Sequence, residues 1–106
     1  MERVTYTGDR ALANWVLVPA SGDRVIRVLQ IVASSWEDWS IALASNPQGA
    51  PVPLSQVLHL SKGVTRLRFG RRFSLNTVRG AALGVTTAFR AAEASHTLVV
   101  WYDMVD

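Results

Sequence analysis

The sequence predicts an all-β domain, an antiparallel β-sandwich of jelly-roll type with about eight strands. Two observations predict it. Turn signals recur at short intervals: Thr7-Gly8-Asp9, Pro19 to Asp23, Asn46 to Gly49, Lys62-Gly63, Phe69-Gly70 and Arg79-Gly80. The runs between them are short and rich in β-branched and aromatic residues, whereas helices need longer uninterrupted stretches.

Each element follows from its residues. Leu12 to Val18 is a strand carrying Trp15, Val16, Leu17 and Val18, closed by Pro19. Val25 to Val32 also fits a helix at positions 25, 28, 29 and 32, but its β-branched content and flanking turns select a strand buried on much of both faces. Trp39 to Leu43 alternates, with Trp39, Ile41 and Leu43 on one face. Pro51-Val52-Pro53 is extended, because each proline removes a donor and biases its predecessor away from helix. In Thr65 to Phe69, Leu67 and Phe69 point in while Arg66 and Arg68 point out. Gly80 to Ser95 is the one helical competitor, rich in alanine. Gly84, Val85, Thr86 and Thr87 in its middle select a strand over Ala82 to Phe89. The run Thr97 to Val105 places Leu98, Val100, Tyr102 and Met104 opposite Val99, Trp101 and Asp103, as expected of a central or covered strand. All of this forms one domain over residues 1–106, with residues 1–11 free to form an N-terminal arm.

Composition narrows the function classes. Hydrophobic residues make up 49% and charged residues 18%, which excludes a natively unfolded chain. Without cysteine there is no disulfide, thiolate metal site or cysteine nucleophile. Met1 to Gly8 shows no signal-peptide pattern, and synthesis in a reducing cytosol is expected. Val25 to Ala33 is interrupted by Arg27 and Gln30 and is too short for the ~20 apolar residues of a membrane span, so no membrane contact is expected.

No chemistry-bearing motif emerges. His59 and His96 stand alone, without a second histidine or a carboxylate at ligand spacing, so no metal is expected. Gly63, Gly70, Gly80 and Gly84 lack the ending of a phosphate loop, and no nucleophile elbow is present. The expectation is no catalytic residue, no cofactor and no enzyme activity.

Charge is segregated. The net charge is +3, from 11 basic and 8 acidic residues. Lys62, Arg66, Arg68, Arg71, Arg72, Arg79 and Arg90 fall in a span without any acid, and ten of the 11 basic residues are arginine. Arginine suits interfaces because its planar guanidinium pairs bidentately and is weakly hydrated. Arg66, Arg68, Arg71, Arg72 and Arg79 are therefore the expected protein-interface residues. The bland alternative is a solvated strand face. Nucleic acid ranks below both: the stretch Arg68 to Phe73 interleaves aromatics with arginines, but +3 is a small excess for a nucleic-acid domain. Trp36, Glu37, Asp38 and Trp39 form a candidate surface-recognition loop, with Trp39 expected to plug the core end. Trp15 and Trp101 are expected in the core or between subunits.

The order of segments resembles small jelly-roll or β-sandwich phage virion proteins. The likeness runs over residues 12–105, through Arg24 to Leu29, Pro53-Leu54, the loop Phe69 to Phe73, Gly80 to Leu83 and Leu98 to Tyr102. Ser34 to Trp39 departs from that pattern, which has small residues there. The resemblance implies a capsid decoration (cement) or head-spike subunit, located on the virion after synthesis in the host cytoplasm. It also implies self-association as a homotrimer, contact with the major capsid protein or another virion protein, and no catalysis. A head-spike or fibre module binding host glycans through Trp36 and Trp39 is the alternative, and a small nucleic-acid-binding protein the second.

Overall fold

The structure, a computed structural model, describes residues 1–46, 48–69 and 75–106. Ten strands form in chain order: β1 (Glu2–Gly8), β2 (Trp15–Val18), β3 (Val25–Ser35), β4 (Trp39–Ser45), β5 (Val52–Pro53), β6 (Leu58–Leu60), β7 (Gly63–Arg68), β8 (Leu75–Asn76), β9 (Leu83–Phe89) and β10 (His96–Val105). Among the described residues there is no helix, so none is long enough to cross a membrane.

The strands build two antiparallel five-stranded sheets. Sheet A runs β1-β10-β3-β7, with β8 also on β3; sheet B runs β2-β9-β4-β5, with β6 also on β4. The pairings nest: β1 with β10, β2 with β9, β3 with β7 and β8, β4 with β5 and β6. The chain is thus one long hairpin rolled into two sheets, the jelly-roll arrangement. Counting β5 with β6, and β7 with β8, gives the eight positions the sequence leads one to expect.

Alternation builds the core. Val28, Ile31, Ala33, Leu98 and Val100 from sheet A meet Ile41, Leu43, Leu83 and Val85 from sheet B, all essentially without solvent exposure. Burying each of the valine, leucine and isoleucine side chains among them contributes roughly 1.5–3 kcal/mol. One irregularity resets the pattern: Trp101 pairs Gln30 while Tyr102 pairs Val28, so Leu29 is an extra residue in β3. That bulge explains why the apolar positions of Val25 to Val32 mimic helical spacing while the segment is a strand.

One expectation needs correction, and two are narrowed. Residues 2–8 are no free arm but strand β1, paired with β10 along its whole length. Trp15 is not a core residue of the single chain: it opens an edge strand of sheet B, where no further strand flanks it among the described residues, and it remains 49% exposed. Trp101 is half-buried on the outer side of sheet A, because the core side of β10 is taken by Leu98 and Val100.

Candidate protein interface

The registers of sheet A define its outer face, since residues directly opposite share a side. Three rows cross it: Arg3–Trp101–Gln30–Arg68, then Thr5–Val99–Val32–Arg66, then Thr7–Thr97–Ser34–Val64. The middle of this face is Trp101, Val99 and Val32, half-buried among their neighbours. Val64, at 75% exposure, extends the apolar area to one end. Arg3 borders it on one edge strand, Arg66 and Arg68 on the other, and all three are exposed.

The electrostatics are one-sided. Below these rows Asp103 pairs Arg27, and among the described residues Asp103 is the only carboxylate in the cross-strand rows of the face. It also receives the Met1 ammonium at 3.3 Å. Among the described residues Arg3, Arg66 and Arg68 form no ion pair; those that form are Met1–Asp103, Arg24–Asp106 and Arg90–Asp38. An apolar centre holding a tryptophan, rimmed by unpaired arginines, matches the composition of a protein–protein hot spot facing an acidic surface.

The expected interface residues divide. Arg66 and Arg68 lie together on β7, as their alternation demands. Arg79 does not join them. Its Nη1 donates to the Asp23 carbonyl at 2.8 Å, in a turn region that also holds Arg24 and Asp106. Arg71 and Arg72 lie outside the described residues, as does most of the aromatic stretch ending at Phe73. Phe69 packs against the core cluster, so it is not turned outward as a stacking platform.

The loop from Trp36 to Trp39 also divides. Trp39 is 3% exposed and lies parallel to Phe89 at 5.9 Å, so it closes the core end as expected. Asp38 is a structural tie: its carboxylate accepts the Lys62 N–H at 2.9 Å and sits 3.7 Å from Arg90. The Glu37 N–H donates to Ser35 Oγ at 3.1 Å. Trp36 alone stands out, 79% exposed. It borders a cleft of about 570 Å³ lined also by Thr7, Ser34, Lys62, Val64 and Thr97. Four of those residues make up the last row of the outer face, so the cleft continues that face.

His96 is the hub of the end of the core. It is 2% exposed and contacts the rings of Tyr6, Trp39 and Phe89, at centroid distances of 5.6, 5.2 and 5.1 Å. Its Nδ1 lies 3.1 Å from the Ala94 carbonyl, which only accepts, so that nitrogen carries the proton. His59 is exposed on β6, apart from it. Among the described residues no three histidine or carboxylate side chains gather as a metal site would require.

The molecule is a jelly-roll β-sandwich. No protein-family model matches the chain, and no curated protein matches it. Among solved structures it is similar to the nucleoplasmin-like N-terminal domain of Drosophila FKBP39, with a TM-score of 0.50 at 13% identity, covering 98% of this chain and 88% of that one. At that identity the likeness shows the fold alone. A virus-like particle of the extra small virus of the giant freshwater prawn Macrobrachium rosenbergii also aligns, covering 96% of this chain and 79% of that one. Its TM-score of 0.29 at 13% identity is too low to carry an argument.

Proposed function

We propose that this protein is a structural, non-catalytic subunit that self-associates and docks through the outer face of sheet A onto an acidic protein surface. Its place is the outside of a phage head, as a decoration subunit bound to the major capsid protein or another virion protein. The observation that supports docking most directly is the outer face itself: Trp101, Val99, Val32 and Val64 framed by Arg3, Arg66 and Arg68, whose guanidinium groups form no ion pair among the described residues. The virion placement rests on the resemblance in segment order.

The physics of such a subunit is avidity. A single face of this size binds weakly, while several copies joined together on a repeating lattice bind tightly without any new contact. Binding the assembled shell better than its free subunits stabilises the shell by mass action. The test is a particle made without the gene. Such particles should lack the 11.6 kDa chain and lose infectivity on heating at a lower temperature, and wild-type protein added back should restore both. Particles of unchanged composition and heat resistance overturn the reading.

A second reading is favoured by one observation, the exposed indole of Trp36 beside the hydroxyls of Thr7, Ser34 and Thr97. An indole face flanked by hydroxyl groups suits a sugar ring, as a spike or fibre module binding host glycans needs. Glycan-array binding that disappears in Trp36→Ala supports it; an array without signal removes it.

A further inference from the structure

A β-sandwich has strand edges to protect, because an edge strand presents unpaired N–H and C=O groups to any other strand. Three of the edges here carry recognised safeguards. β7 bears Arg66 and Arg68 and follows Lys62. β2 is four residues long, with its register broken between Val16 and Val18. The β5 and β6 edge consists of two and three residues, with Pro51 and Pro53 beside it. β1 is neither short nor broken and holds no proline: it is seven residues long, pairs β10 in one unbroken register, and its two charges, Glu2 and Arg3, stand together at its first two positions, away from Thr5.

Among the described residues, the backbone of β1 bonds to β10 alone. In an antiparallel edge strand every second residue turns its N–H and C=O away from the sheet. We infer that the free edge of β1 pairs antiparallel with β1 of a second copy of this chain, about a two-fold axis at Thr5, joining two A sheets into one.

The residues of β1 suit that partner. A two-fold axis perpendicular to the sheet keeps outer residues opposite outer residues, and centring it on Thr5 pairs all seven positions. Thr5 then faces Thr5 of the second copy, a pairing that contributes through hydroxyl hydrogen bonding. Val4 faces Tyr6 on the core side, an aromatic–β-branched pair. Arg3 faces Thr7 and Glu2 faces Gly8, so no like charges meet. Because β1 is one border of the outer face, the pairing sets two Trp101 faces side by side on a continuous surface. The inference deepens the self-association in the proposed function and is independent of the virion placement.

The test uses the purified full chain, which contains no native cysteine. Light scattering should give twice the 11.6 kDa chain mass. Thr5→Cys should cross-link to a covalent dimer under mild oxidation, since the two sulfurs meet at the axis. Thr7→Cys, which would face Arg3, should cross-link about ten-fold more slowly or worse, as a pair without enforced proximity does. Thr5→Lys, opposing two charges at the axis, should give a folded monomer. Equal, slow cross-linking of both cysteine variants overturns the inference. A mass of three chains overturns it while leaving the proposed function standing, and a mass of one chain overturns this pairing and self-association together.

Discussion

Thr77 and Ile26 hold each other by two reciprocal hydrogen bonds. The Ile26 N–H donates to Thr77 Oγ1 at 2.9 Å, and the Thr77 N–H donates to the Ile26 carbonyl at 3.0 Å. Thr87 and Leu12 repeat the device, at 2.8 and 2.9 Å. In each case a buried threonine stands in for a missing ladder partner. One tethers the segment after β8 to β3; the other tethers the segment before β2 to β9. Thr77→Val keeps the shape but leaves the Ile26 amide buried and unpaired, which costs about 1–3 kcal/mol. The midpoint of urea unfolding should fall with unchanged slope, and Thr77→Ser should recover most of the loss.

The two tryptophans of the 36–39 loop should respond oppositely to truncation. Trp39→Ala empties a site stacked on Phe89 and should cost about 3–5 kcal/mol. Trp36→Ala removes an exposed ring and should change stability by no more than about 0.5 kcal/mol. Chemical unfolding of both variants checks the pair.

Alkaline pH should weaken the fold through Tyr102. Burial, and secondly the negative charge of Glu2 across the β1–β10 pair, raise its phenol above the usual value of about 10. The folded chain therefore keeps a proton that the unfolded chain releases. Stability from this group is complete below about pH 10 and is lost as the pH rises through the folded value. In Tyr102→Phe that part of the alkaline loss disappears, and Glu2→Gln removes the smaller, electrostatic share. Urea unfolding on both sides of about pH 10 measures it.

Reversing charge on β7 separates binding from folding. Arg66 and Arg68 are exposed and form no ion pair among the described residues, so Arg66→Glu with Arg68→Glu should leave stability within about 0.5 kcal/mol. Add-back to particles lacking the protein should fall about ten-fold or more, and residual wild-type binding should weaken with added salt. Sedimentation with particles at two salt concentrations reads both effects.

Much of the architecture was legible because alternation is a local signal. Leu67 and Phe69 point in and Arg66 and Arg68 out by parity alone, and parity equally puts Trp101 opposite Val100. Parity does not say how deeply a face is covered. Trp15 and Trp101 both read as buried, in the core or between subunits, because their runs are apolar; in the single chain one stands at a sheet edge and the other on an open face. β1 was hidden because its inward residues include only Val4 and Tyr6 as apolar side chains, a pattern too short to distinguish a strand from an arm. Arg79 was grouped with the β7 arginines by proximity in sequence, while the turn at Gly80 ties it to Asp23 instead.

The sequence by itself determined the all-β class, the inward and outward sides of most strands, and the clustering of arginine away from acid. Those follow from side-chain period and turn chemistry, which act within a few residues. The tertiary structure decided which strands are edges and which arginines share a surface. It also decided that Trp36 is exposed while Trp39 is buried, and that β1 forms a long sheet edge. Those depend on neighbours far apart in the chain: β1 and β10 meet across nearly its whole length, and no local pattern records which strand comes to lie beside which.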